Sequence, residues 1–90
     1  VEQMLKIIRL FRSSKLGSKF NIAEIHYDKV YGYSFLTQYQ NMQIFIGQTA
    51  FAAKFKFVDN MLNDILRRGM QITYMMLPEA DRVIVKYRAT

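Results

Sequence analysis

Residues 1–90 read as one domain, with room for a modest hydrophobic core but none for a deep catalytic cleft. A composition that is 51% hydrophobic and 14% aromatic excludes a disordered chain, and the absence of cysteine excludes disulfides, thiolate zinc sites and a cysteine nucleophile while leaving the compartment open. Thirteen Lys and Arg against seven Asp and Glu give a formal charge of +6, which invites an anionic partner. The basic residues, however, form two dispersed groups rather than one dense run of the kind that tracks phosphates. Lys6, Arg9, Arg12, Lys15 and Lys19 lie early, and Arg67, Arg68, Arg82, Lys86 and Arg88 lie late.

In chain order, residues 2–12 predict a helix. Met4, Leu5, Ile8 and Phe11 recur at helical spacing, and Glu2 and Lys6 form a favourable i,i+4 pair. Residues 13–18 are turn formers, with Gly17 able to take a positive φ. Residues 20–27 predict a strand, with Ala23, Ile25 and Tyr27 alternating against Glu24 and His26. Asp28 and Lys29 form a hairpin turn, and residues 30–37 return with Tyr31, Tyr33 and Phe35 on one face and Gly32 and Ser34 on the other. Residues 38–41 are polar and turn-like, before a third strand at 42–46 aligns Met42, Ile44 and Ile46. Three strands with short links predict an antiparallel meander.

The second half carries the most information. A long amphipathic helix begins at Gln48 or Thr49, with Thr49 the better N-cap by chemistry. Phe51, Phe55, Val58, Leu62 and Ile65, joined by Ala52 and Met61, form its core-facing stripe. Arg67 and Arg68 meet the negative end of the helix dipole, and Gly69 suits the C′ position. Ile72, Tyr74 and Met76 alternate with Thr73, Met75 and Leu77. Both faces of that strand are apolar, which predicts an inner strand covered on both sides. Pro78 sits at the second position of a turn over residues 77–80. The last strand, residues 82–88, sets Val83, Val85 and Tyr87 against Arg82, Ile84, Lys86 and Arg88. A strand that ends a domain at a sheet edge exposes N–H and C=O groups that can recruit a partner strand, and charges there limit indiscriminate pairing.

Little in the chain can do chemistry. His26 is the single histidine; Glu24, His26 and Asp28 alternate onto one strand face at a spacing compatible with a metal, but a lone exposed His is more often a surface residue. Gly47-Gln48-Thr49 before a helix lacks the further glycines and the Lys-Ser/Thr pair of a phosphate loop. No Ser or Thr has a His and acid to itself. The expectation is therefore no enzyme, no cofactor, no metal and no small-molecule substrate. Residues 29–35 partly echo the aromatic strand of an RNA-recognition domain, with mismatches at Val30 and Ser34 and a discordant element order. A small basic RNA-binding domain is accordingly the alternative reading.

Ile44-Phe45-Ile46-Gly47, then Phe51 and Lys54 in the helix, then the strand pair at 72–77 and 82–88, make a recognisable pattern. With the N-terminal helix, Ile22-Ala23-Glu24-Ile25 and Tyr31-Gly32, it resembles the β-domain of the FtsQ/DivIB family of bitopic bacterial cell-division proteins over most of the chain. The resemblance implies a non-enzymatic septum-assembly scaffold, anchored in the cytoplasmic membrane by one span, with this domain on the extracytoplasmic side. It also implies partners of the FtsB/DivIC and FtsL types, bound by strand addition. By position the partner-binding residues are Arg82, Val83, Ile84, Val85, Lys86, Tyr87 and Arg88, with Tyr87 placed where an aromatic of that edge contacts the partner. The start at Val1 rather than Met fits a piece of a longer, membrane-anchored protein, and no apolar run here approaches the roughly 20 residues of a span. The expected fold class is α+β: a single mixed sheet of about five strands packed by two helices, in the order α-β-β-β-α-β-β.

Overall fold

The computed structural model describes residues 2–38, 41–69 and 71–88. Its elements are α1 (Glu2–Ser13), α2 (Lys15–Lys19), β1 (Ile22–Asp28), β2 (Gly32–Thr37), β3 (Gln43–Gly47), α3 (Phe51–Arg67), β4 (Ile72–Glu79) and β5 (Arg82–Tyr87). The strands form one sheet in the order β1-β2-β3-β4-β5. β1, β2 and β3 make the expected antiparallel meander. α3 then crosses over so that β4 lies parallel to β3, and β5 returns antiparallel to β4. The sheet is mixed, as expected, and its helices pack on one face.

Register explains which side chains form the core. Ile25, Phe35, Ile44, Met75 and Val85 stand opposite one another in a single row across all five strands. Phe35, Ile44 and Met75 in this row are fully buried under the helices. Phe11 of α1 and Phe55 of α3 close over Phe35, with ring centroids 4.9 Å apart for Phe11–Phe35, 5.9 Å for Phe11–Phe55 and 6.4 Å for Phe35–Phe55. This aromatic trio joins both long helices to the middle of the sheet.

Several elements depart from expectation for identifiable reasons. The expected turn at residues 13–18 contains the short helix α2, so three helices rather than two pack the sheet. Ser14 caps it: its hydroxyl accepts from the Gly17 N–H at 3.0 Å and donates to the Phe11 carbonyl at 2.6 Å. Asp59 of α3 adds a cap across the fold, its Oδ1 accepting from the Lys15 and Leu16 amides at 3.0 and 3.3 Å. Gly17 is absent from the positive-φ residues. It is needed because a Cβ there would lie 1.8 Å from the Phe11 carbonyl oxygen. The buried residues of α1 are Ile7 and Phe11; of the expected stripe Phe11 is buried, Met4 and Ile8 are half-buried and Leu5 is exposed. β2 starts at Gly32, leaving Val30 and Tyr31 in the turn, and part of the expected turn at 38–41 lies outside the described residues.

β4 shows the largest correction. It was expected to be covered on both sides, yet only Ile72, Met75 and Leu77 are buried; Met76 on the other face is 38% exposed. The register shifts between Ile72 and Tyr74, so one extra residue moves the inward set from even to odd positions. A second shift follows Met76, so Pro78 is inside β4 rather than at a turn, and the hairpin closes through Ala80 and Asp81 between the paired Glu79 and Arg82. Proline fits such an irregularity because no ladder N–H is required of it. α3 begins at Phe51 with Ala50 as its N-cap in a left-handed conformation and no side-chain cap, so Thr49 does not cap it. Ala52 is exposed, and Lys54 takes the place expected for it in the buried stripe. At the other end Gly69, with φ 68°, follows the Arg68 cap as anticipated.

Candidate functional site: the β5 edge

Among the described residues the outer strands of the sheet are β1 and β5, and they differ in regularity. In β1 the register shifts between Ile22 and Glu24 by one extra residue on β1 itself. A bulge of that kind twists an edge away from pairing. In the β4–β5 pair both extra residues fall on β4, leaving β5 an unbroken strand. β5 is therefore the more regular of the two edges, although β1 is also unbroken from Glu24 to Asp28.

Its hydrogen-bonding direction follows from one bond. The Arg88 N–H donates to the Gln71 carbonyl at 2.7 Å, pointing toward β4. Because strand residues alternate in the direction of their N–H and C=O groups, Lys86, Ile84 and Arg82 also face β4. Tyr87, Val85 and Val83 direct theirs outward. The outward amides thus belong to the residues whose side chains pack inward under α3.

The seven residues singled out in the sequence occupy different environments. Val83, Val85 and Tyr87 are half-buried against α3, beside Met61, Ile65 and Arg68. The Tyr87 hydroxyl donates to the Ile65 carbonyl at 2.9 Å, and the Arg68 guanidinium lies 5.7 Å from its ring centroid. Tyr87 thereby fastens β5 to the end of α3. Arg82, Ile84 and Lys86 point to the opposite face of the sheet, where Arg82 and Lys86 are exposed. Arg88 is exposed, and its Nη1 donates to Gln71 Oε1 at 2.9 Å.

Glu24, His26 and Asp28 share a face of β1 without converging. Glu24 Oε1 lies 2.8 Å from His26 Nε2. Asp28 Oδ1 instead accepts from the Tyr31 and Val30 amides at 2.9 and 2.7 Å, bonds that hold its carboxyl below the usual carboxylate range. Among the described residues no His/Cys/Asp/Glu group is arranged to hold a metal. Of the aromatic run at 31–35, Phe35 is buried and Tyr33 packs inward against Tyr27 and Phe51, leaving Tyr31 as the exposed ring.

The residue that sequence reasoning placed least fully is Lys54. It is 3% exposed, with Nζ donating to the Ile46 carbonyl at 2.5 Å. Burial lowers its pKa from the ordinary lysine value. A Cβ at position 47 would stand 3.1 Å from that nitrogen, so Gly47 leaves room for the amine. A lysine at an inward helix position directly after an aliphatic strand and a glycine is the signal that could have identified this bond. Among the described residues no helix is long and apolar enough to cross a membrane.

No family model matches the chain. It is 26% identical over 86 residues to the cell division protein FtsQ of Geobacter sp. (strain M21). That alignment takes in 96% of this chain and 31% of the relative, so the chain spans about a third of the length of the curated protein it matches.

Proposed function

We propose that this chain is the extracytoplasmic β-domain of a single-pass inner-membrane protein of the FtsQ/DivIB kind. It acts without catalysis, as a septum-assembly scaffold in cell division. It holds FtsB/DivIC- and FtsL-type partners by adding a partner strand to β5. The observation that carries this reading is the similarity to a cell division protein across 96% of the chain. Two features of the fold support it. β5 is a regular terminal edge strand with outward amides at Val83, Val85 and Tyr87, and Arg82, Lys86 and Arg88 on or beside it favour an acidic partner.

The test is a binding titration against an FtsB/DivIC-type extracytoplasmic segment, with folding of each variant checked by circular dichroism. Val83→Pro removes an outward N–H near the start of the strand, where proline is best tolerated, and is expected to weaken binding while the domain stays folded. Ile84→Pro removes an N–H directed at β4 and is expected to damage the domain itself. Tyr87→Phe removes the bond to Ile65 but no outward backbone group, so binding should survive it. Unchanged affinity in folded Val83→Pro and Val85→Pro variants would remove β5 as the partner edge.

A further inference from the structure

The sheet face away from the helices has a pattern of its own. Two rows of opposed residues cross it. Glu24, Leu36, Gln43, Tyr74 and Lys86 form one; His26, Ser34, Phe45, Met76 and Ile84 form the other. The centre is apolar, with Phe45 and Tyr74 in edge contact at 6.3 Å and Met76 38% exposed. A groove of roughly 470 Å³ opens at the end of this face, lined by Tyr31, Ser34, Phe45, Met76 and Pro78 among others. Tyr31 beside it is 78% exposed. The two margins carry opposite charge: β1 presents Glu24 and Asp28, and β5 presents Arg82 and Lys86.

We propose that this face is a self-association surface, occupied by the same face of a second copy of the chain. The argument is charge complementarity. Place a two-fold axis in the interface, parallel to the strands and over β3. The operation keeps strand direction and exchanges left with right, so β1 of each copy lies over β5 of the other. Glu24 then meets Lys86 of the other copy within one row, and Asp28 meets Arg82 at the turn end. Phe45 lies near the axis, and Tyr31 of each copy approaches the Met76 and Pro78 side of the other groove. A two-fold across the strands instead stacks acid on acid and base on base, which costs several kcal/mol. One symmetry is therefore selected, and it is the isologous kind that closes into a dimer. Five strands spaced about 4.8 Å apart make a face about 20 Å wide, at the small end of specific interfaces, so the dimer is weak. Face-to-face packing leaves the β5 edge free, so the dimer neither requires nor blocks strand addition there.

Sedimentation equilibrium of the 90-residue chain at low salt tests this. The parent should show a reversible monomer–dimer equilibrium. Lys86→Glu alone, or Glu24→Lys alone, should weaken it about tenfold or more, and the double swap Glu24→Lys/Lys86→Glu should return it to within about threefold of the parent, because the charges again face their opposites. Met76→Glu should abolish it, with circular dichroism reporting an intact fold at this exposed site. A chain that stays monomeric throughout overturns the proposal. So does a dimer indifferent to Met76→Glu and to the charge reversals, or one lost in Val83→Pro alone, which would mark edge-to-edge pairing through β5.

Discussion

Ala50 has φ 57° and ψ 39°, a left-handed conformation that costs an L-residue about 1–2 kcal/mol, and no side chain caps the helix that follows. Its carbonyl nonetheless accepts the Lys54 amide at 2.9 Å, so the chain must adopt this conformation to turn from β3 into α3. Ala50→Gly relieves the strain but adds freedom to the unfolded chain, worth about 0.5–1 kcal/mol. The expected net effect is a gain of up to about 1 kcal/mol in urea denaturation, and a clear loss would show that Ala50 is not left-handed in solution. Lys54 offers a pH test. Its amine is buried, so the folded state disfavours the charged form and its pKa falls below the ordinary 10.5. Between the lowered folded value and 10.5 the unfolded chain binds more protons than the folded one, so stability rises with pH there. The stability of the parent relative to Lys54→Met should therefore increase as pH is raised toward 10.5. A flat difference across that range would mean that Lys54 titrates as a free lysine.

At the scale of elements, α3 links the two antiparallel parts of the sheet and carries the ring that both other layers touch. Phe55 is 3% exposed and packs on Phe11 and Phe35. Phe55→Ala should cost about 3–5 kcal/mol as a buried large-to-small change, read from the denaturation midpoint at constant slope. A cost below about 1 kcal/mol would place Phe55 outside the core. The stripe containing it was legible because a 3.6-residue period needs only the local sequence. The order of the two longer helices and the five strands, the α3 stop at Gly69 and the alternation of β3 and β5 were also legible from local sequence. What was not legible depended on partners distant in sequence. α2 is capped in part by Asp59, more than forty residues away. Gly17 is required by the Phe11 carbonyl rather than by its own φ. The β4 shifts arise from pairing, and they exchange the faces of the strand without altering its composition. β5 was recognised as a terminal strand, but its outward amides were not, since that direction is set by one bond to Gln71.

Over the whole molecule, charge is uneven as well as positive. The formal +6 includes Arg82, Lys86 and Arg88 at the β5 end, whereas Glu24 and Asp28 lie on β1 at the opposite margin. If a partner strand adds to β5 as proposed, a field of that shape would attract an acidic one before pairing forms, whereas hydrogen bonds to the outward amides of Val83, Val85 and Tyr87 would act only after contact. The two contributions should separate kinetically. Fields between exposed charges are screened beyond about 10 Å at 0.1 M salt, and steering changes association rates by about 10- to 1,000-fold. In stopped-flow binding of an acidic FtsB/DivIC-type segment, the association rate should fall at least about tenfold between about 0.02 and about 0.5 M salt, with a much smaller change in dissociation. Lys86→Glu should lower the low-salt association rate, and Val83→Pro should mainly speed dissociation by deleting a backbone bond. If association proved indifferent to both salt and Lys86→Glu, the basic residues of β5 would serve only to guard the edge against unwanted strands, and partner selection would rest on the backbone and the side chains around it.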